Sequence, residues 1–199
     1  SYLHLAANPN YYGTPPGYSE IAVALTDNDQ QRWDAYLQGN LDTFDVTAAQ
    51  YQQAQADPIL ADQTALTPGT CTYALVFKTD TPPMDNANVR KALIAAIDRT
   101  DFAAQFAGDA NLATQTWTPP LIWGYVDGPA LGIGIPFDVT QAQAYLTAAG
   151  YPNGAGFPAV AVEVRDTSRN RLRWDYMAAA WQANLNITIS VTYIGTNPP

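Results

Sequence analysis

The six residues from Arg165 to Asn170 are the best candidates for binding chemistry in this sequence. Apolar alternation predicts a strand over Val160 to Val164 before them, and helical spacing of large apolar residues predicts a helix from Arg169 to Asn184 after them. In open α/β sheets, ligands bind beyond the carboxyl ends of strands, where free amides at helix starts can hold a carboxylate or a peptide carbonyl. We therefore expect a ligand-binding site that includes Arg165, Asp166, Thr167 and Asn170.

The same segment also fits a plain helix cap. Hydroxyl side chains such as those of Thr167 and Ser168 commonly accept hydrogen bonds from first-turn amides. In that interpretation the two arginines simply extend into solvent. The residues alone leave both interpretations open.

A second group of candidates is aromatic. Trp117, Trp123 and Tyr125 lie in a long irregular region from Asp109 to Pro136, and loops of that length are usually functional or form compact surface covers. Their rings could line an apolar cleft and stack on a solute. They could equally fasten the loop to the core, which is the interpretation we favour because large aromatic side chains dominate packing energy.

The sequence offers no convincing candidates for catalytic residues. The chain has one histidine, His4, in a predicted strand between leucines, and one cysteine, Cys71. This leaves no cluster for a metal ion and no paired nucleophile. We predict a protein that is not an enzyme, with no catalytic residue, metal site or cofactor.

The elements that must position these residues centre on one run from Cys71 to Arg99. Alternating apolar residues predict a buried, central strand over Cys71 to Phe77. Pro82-Pro83 ends the strand, and Asp85 or Asn86 can cap the next helix. Its apolar stripe should face the sheet and consists of Val89, Ala92, Leu93, Ala96 and Ile97.

Strands and helices alternate along the rest of the chain. Further strands are predicted at Tyr2 to Ala6, Ile21 to Leu25 and Ile187 to Tyr193, and further helices after Asp27, over Ala48 to Ala56, over Asp101 to Ala107 and from Asp138 to Gly150. This order indicates an α/β fold with a mixed sheet flanked by helices.

Composition limits the partners. The 199 residues suit a single domain over 1–199, and the net charge of −9 argues against binding nucleic acid, which needs a basic face. No apolar segment reaches the roughly 18 residues needed to span a membrane. The first residues lack the basic start of a secretory signal, so localisation has to come from elsewhere.

Several motifs are shared with one family. Val89-Arg-Lys-Ala-Leu-Ile-Ala-Ala-Ile-Asp-Arg99 matches the pattern Val-Arg-x-Ala-Leu-x-x-Ala-Ile-Asp-Arg, and similar matches occur at Asn8-Pro-Asn-Tyr-Tyr-Gly13, Gly39-Asn-Leu-Asp42 and Ala148-Ala-Gly-Tyr-Pro-Asn-Gly154. In these motifs the chain resembles the extracellular solute-binding proteins of family 5, which serve ABC importers of oligopeptides, dipeptides and nickel. The resemblance covers essentially the whole chain.

The resemblance implies a fold and a function. It implies the second, C-terminal lobe of a two-lobed, type II periplasmic-binding-protein-like fold, with the first lobe and the return segment absent. That lobe would close with the missing lobe on a small solute and deliver it to an ABC permease. Peptides are favoured as the solute over a nickel chelate or an oligosaccharide.

The resemblance also implies a location and further site residues. Relatives are extracellular or periplasmic, and the parent protein would be a lipoprotein that meets the membrane only through a lipid anchor outside this chain. Tyr73 would border the cleft, although it could instead be core, and Trp117 joins the candidate ligand-binding residues. In peptide-binding relatives a cysteine matching Cys71 pairs with one in the return segment, so we expect a free thiol here; a small buried core residue is the alternative. A noncatalytic sensor or scaffold module with the same fold is the alternative function.

Overall fold

The structure is a computed structural model that describes residues 1–67 and 69–195. The strands are β1 (Tyr2–Ala6), β2 (Glu20–Ala24), β3 (Val160–Arg165) and β4 (Ile189–Ile194). The helices are α1 (Asp29–Leu37), α2 (Ala48–Gln55), α3 (Pro58–Gln63), α4 (Ala87–Ala95), α5 (Arg99–Ala107), α6 (Val139–Ala148) and α7 (Ser168–Leu185). Short 3₁₀ helices occur at Ala110–Leu112, Pro129–Leu131 and Pro152–Gly154.

The predicted α/β class is confirmed, but the described strands form two separate two-stranded sheets rather than the one mixed sheet expected from the sequence. β1 and β2 pair antiparallel within residues 1–67, which we call the N-terminal part. β3 and β4 pair parallel within residues 69–195, the C-terminal part, and are joined by α7 as parallel strands require. The prediction of one domain over 1–199 stays a prediction.

The N-terminal part is lightly packed. The β1–β2 hairpin leaves an apolar face open to solvent, with Leu3 opposite Val23 and Leu5 opposite Ile21. Helix α1 is capped by Asn28, one residue after the predicted Asp27, because the Asn28 side chain accepts from the Gln31 amide. Helix α2 begins with a full capping box. Helix α3, which we did not predict, follows at once.

The main core lies in the C-terminal part, between α4, α6 and α7. All five residues of the predicted α4 stripe are buried, which confirms the stripe, but it packs chiefly against helices α6 and α7 rather than against a sheet. Its centre, Leu93, packs in one cluster with Leu146 of α6 and Trp181 of α7. Each such fully buried large apolar side chain contributes about 1.5–3 kcal/mol to folding.

The carboxyl end of α4 is held by four different neighbours. Helix ends leave carbonyls without intrahelical donors, and buried carbonyls need partners. The Trp181 indole donates to the Leu93 carbonyl at 3.0 Å, and the Asn184 amide donates to that of Ala96 at 2.9 Å. Arg99 donates to the Ile94 carbonyl, and the Asp138 backbone to that of Ala95. Burial lowers the pKa of Arg99, and the nearby Asp98 carboxylate partly offsets this. The start of α6 and the end of α7 are thereby fixed to one point.

The prediction of a buried, central strand over Cys71 to Phe77 is wrong. Within the described part of the chain, residues 71–78 form no backbone-to-backbone hydrogen bond and belong to no sheet. Tyr73 and Val76 are 54% and 77% exposed. The segment has no neighbouring strand and is largely exposed, although Phe77 packs against the main core. We call residues 71–78 the exposed segment.

Candidate functional site

A polar cleft lies where the two parts meet, and we define it by the starts of three helices. It has a volume of about 870 Å³ and is lined mainly by residues 26–30, by Thr47 and Gln50 of the α2 start, and by residues 166–168. The three helix-capping residues, Asn28, Thr47 and Thr167, all border it. Backbone amides at helix starts favour anionic or carbonyl groups, so the cleft is suited to a polar solute.

Of the predicted residues, Asp166 and Thr167 line this cleft, together with Ser168, whereas Arg165 and Asn170 flank this stretch and are not among the lining residues. Thr167 caps α7, with its hydroxyl accepting from the Asn170 amide at 3.1 Å. The Asn170 side chain donates to the Arg165 carbonyl at 2.9 Å. The cap interpretation is therefore correct for Thr167, and the Asn170 side chain is engaged within its own loop.

The Asp166 carboxylate, in the loop before α7, is bound by an arginine near the start of α7. Arg171 Nε and Nη2 donate to its two oxygens at 2.6 and 2.8 Å. These hydrogen bonds hold the pKa of Asp166 below its usual range and raise that of Arg171. Asp166 therefore stays ionised at the cleft rim.

Arg171 also packs on the neighbouring strand. Its guanidinium lies 4.4 Å from the ring centre of Tyr193 on β4. Desolvation and a hydrogen bond from the Tyr193 hydroxyl to Asp175 raise the pKa of Tyr193 to about 12. These contacts tie the start of α7 to β4 and so fix one wall of the cleft.

The other two predicted site residues, Tyr73 and Trp117, lie in a different place. They line an apolar cavity of about 470 Å³ between the exposed segment and helices α4, α5 and α7. The Arg173 guanidinium lies 4.7 Å from the Tyr73 ring centre, and the Phe102 ring stacks on Tyr73 with 6.2 Å between the ring centres. The interpretation of Tyr73 as a core residue is wrong, because half of it is exposed.

The aromatic residues of the long loop do not act as one clamp. Trp123 is 99% exposed and packs on nothing, so the clamp interpretation is wrong for this residue. Trp117 is 70% exposed, and its carbonyl accepts a hydrogen bond from the Thr72 hydroxyl at 2.7 Å. The loop is thereby attached to the exposed segment through its backbone.

Cys71 lies at the start of the exposed segment as a free, exposed thiol, as expected. The alternative, a small buried core residue, is therefore wrong. Whether this thiol pairs in a longer chain stays a prediction.

Sequence reasoning missed the residues of the cleft's opposite wall. Asp29, at the start of α1, forms ion pairs with Arg32 on the next turn and with Arg169 on α7, the latter at 3.2 Å. The Gln50 side chain, which is buried, donates to the Asp29 carbonyl at 2.9 Å. The capping pattern Thr47-Ala-Ala-Gln50 was a usable signal for α2, whereas the pairing of Asp29 with Arg169 has no local signal.

The described residues show few groups suited to covalent or metal chemistry. Within 1–67 and 69–195, no three His, Cys, Asp or Glu side chains come together in a way that would hold a metal ion. The His4 ring pairs with Glu20 across the β1–β2 hairpin at 2.6 Å. Among the helices described, none is both long and apolar enough to cross a bilayer. The cleft offers hydrogen bonds and charge, which serve reversible binding.

The chain matches known proteins over nearly its full length. The family model of the bacterial extracellular solute-binding proteins, family 5, middle segment, covers residues 1–197. The probable di/tripeptide-binding protein 5 of Pseudomonas aeruginosa (strain UCBPP-PA14) is 31% identical over 147 residues, 72% of this chain and 27% of its own length. Heme-binding protein A of Haemophilus influenzae is 26% identical over 153 residues, 76% of this chain and 27% of its own.

The fold is also found in solved structures. A periplasmic oligopeptide-binding protein of Borrelia burgdorferi, OppAIV, superimposes with a TM-score of 0.66 at 25% identity, covering 88% of this chain and 34% of that one. The chain thus spans about a quarter to a third of the length of these relatives.

Proposed function

Because the chain belongs to the bacterial extracellular solute-binding proteins of family 5, we propose that it supplies part of the binding cleft of a peptide receptor. The observation that carries the proposal is the family match over residues 1–197. The Pseudomonas relative, named for di- and tripeptides, favours peptides as the solute. The polar cleft supports this choice, since amides at helix starts can bind a peptide carboxylate or carbonyl.

The proposed mechanism is closure on the solute without catalysis. The remaining length of the protein, which includes the other lobe, would close over the solute from the opposite side. Contacts made only in the closed state shift the open–closed equilibrium by their own free energy. The closed receptor would then deliver the peptide to an ABC permease on the extracellular or periplasmic side, held to the membrane by a lipid anchor outside these residues.

Haem is the second candidate solute, because one relative is a haem-binding protein. A porphyrin would suit the apolar cavity rather than the polar cleft, since Tyr73 and Trp117 present aromatic rings there. The two solutes would therefore bind at different places, peptide in the polar cleft and haem in the apolar cavity. Variants at the two places distinguish between them.

The test is to identify the solute and then remove its contacts. Native mass spectrometry of the full-length protein, purified without unfolding, should show bound short peptides. In calorimetric titration of that protein with such a peptide, Arg165→Gln, at the exposed position directly before the cleft-lining Asp166, should weaken binding about tenfold or more, the effect of losing one charge-assisted hydrogen bond. Lys91→Gln, which removes the same charge near Tyr145 on α6, is the matched control and should leave the affinity unchanged.

Other outcomes would contradict the proposal. Copurified haem, or haemin binding that is lost with Tyr73→Ala and kept with Arg165→Gln, would replace peptide by haem. Submicromolar peptide binding by the 199-residue chain alone would show that no second lobe is needed. A full-length protein that binds neither solute would favour the sensor or scaffold module.

A further inference from the structure

The two parts of the chain are joined by little besides the connecting residues. Each has its own sheet, and the described residues between them, 64–67 and 69–72, lie in no strand or helix. The principal packing contact between the parts is that of α5 on α2, where Gly108 at the end of α5 meets Ala48 and Tyr51. A thin contact of this kind allows one part to rotate against the other.

One ion pair spans the polar cleft away from that contact. Arg169 Nη2 donates to Asp29 Oδ1 at 3.2 Å, linking the start of α7 to the start of α1 across 140 positions of sequence. Among residues 1–67 and 69–195, this is the one hydrogen bond or ion pair that joins the two parts. Asp29 itself lines the cleft, and Arg169 directly follows the lining residue Ser168. The pair must therefore break when the helix starts move apart.

We propose that Asp29 and Arg169 form a latch that holds the polar cleft closed and is released when it opens. Asp29 keeps a second partner, Arg32, on its own helix, so release of Arg169 leaves no unpaired carboxylate. The Arg169 side chain is 42% exposed and regains water at once. Both features lower the cost of opening.

The latch is weak because the Arg169 side chain is partly exposed to solvent. Ion pairs open to solvent on one side shift an equilibrium by about 1.4-fold to fivefold, and salt screens them. A latch of that strength biases the cleft towards closure without preventing solute entry. The latch goes beyond solute binding and can be measured with no solute present, so its failure is distinct from failure of the proposed function.

The test measures the distance between the two parts in the solute-free chain. Spin labels are attached at Gln52→Cys on α2 and Ala183→Cys on α7, both exposed positions, in a Cys71→Ser background. Double electron–electron resonance then gives the distance between the two labels. Arg169→Gln should raise the ratio of open to closed molecules about 1.4-fold to fivefold, and Arg169→Glu, which repels Asp29, should raise it further. High salt should widen the distribution of label-to-label distances more in the unsubstituted chain than in Arg169→Gln, because only the unsubstituted chain has the ion pair that salt screens.

Arg173→Gln is the matched control. It removes the same charge from the same helix, but its guanidinium packs on Tyr73 within the C-terminal part and away from the polar cleft, so the distance distribution should not change. Asp29→Asn combined with Arg169→Gln should open the cleft no more than Asp29→Asn alone. Equal distributions for Arg169→Gln and the unsubstituted chain, or equal widening by Arg173→Gln, would overturn the latch.

Discussion

A single tryptophan contributes both packing and hydrogen bonding to the core of the C-terminal part. Trp181 is 2% exposed, packs edge-on against Trp174, and donates to the Leu93 carbonyl at 3.0 Å. It therefore fills volume between α4 and α7 and also satisfies one of the carbonyls at the end of α4. Its two contributions can be measured separately by substitution.

Trp181→Ala should lower the free energy of unfolding by about 3–5 kcal/mol, because it leaves a large cavity and an unpaired carbonyl. Trp181→Phe keeps most of the volume and should cost about 1–3 kcal/mol, mainly from the orphaned Leu93 carbonyl. Chemical denaturation followed by circular dichroism gives both values.

Trp123→Ala is the matched control for these two variants. Trp123 is 99% exposed, so its loss should change the free energy of unfolding by less than about 0.5 kcal/mol. A loss with Trp123→Ala as large as with Trp181→Ala would mean that the long loop packs elsewhere than described.

Residue-scale prediction from sequence succeeded where the signal was local. Thr167 lies directly before a helical pattern, and its capping role follows from that position. Asp29 and Arg169 carry opposite charges and both lie at helix starts, but they are 140 residues apart. Ion pairs at such a separation depend on how the parts of the fold meet, and no periodicity in the sequence records that.

Among the helices and strands, too, predictions based on neighbouring residues succeeded and those that needed long-range contacts failed. The α4 stripe was predicted because helical periodicity depends only on near neighbours. The Cys71 to Phe77 strand was wrong because apolar alternation describes the two faces of a strand and not the presence of a neighbour beside it. Helix α3 was missed although Asp57 and Pro58 form a cap followed by a first-turn proline, a known start signal.

A turn next to the end of α7 gives a prediction at the scale of elements. Gly154 and Gly156, between α6 and β3, both have left-handed backbone angles, with φ of +76° and +74°. A Cβ at Gly154 would lie 2.4 Å from the Asn186 carbonyl oxygen, whereas one at Gly156 meets nothing within 4 Å. Gly156→Ala should cost about 1–2 kcal/mol of backbone strain alone. Gly154→Ala should lower the free energy of unfolding further, because the backbone at Leu185 and Asn186 must also move away from the new methyl group.

Thermal or denaturant unfolding of the two variants measures this difference. The comparison is matched, since residue type, backbone angle and turn are the same and only the approach of α7 differs. Equal losses at both positions would show that the turn does not press against the α7 carboxyl end. The same pair of variants would leave the Asp29–Arg169 contact at the other end of α7 intact.

At the scale of the whole molecule, the described chain has apolar surface that its own elements do not cover. The exposed segment lies over a cavity of about 470 Å³ without a strand beside it, and the aliphatic face of the β1–β2 hairpin is open. Relatives are more than twice as long, since the aligned part of this chain spans only 27% and 34% of two of them. We expect the remaining length of a family protein to cover these surfaces.

Hydrogen exchange tests that expectation. In the 199-residue chain, amides of residues 72–78 should exchange within seconds, near the rate of unfolded chain, because none donates to a backbone carbonyl in the described structure. Amides of α4, whose stripe is buried, should be protected by several orders of magnitude and serve as the internal control. In a full-length protein containing these residues, a strand beside the exposed segment should slow amides 72–78 at least a hundredfold. Fast exchange of that segment in both chains, with α4 protected in both, would mean that no neighbouring strand is supplied and that the exposed segment is a free edge of the native protein.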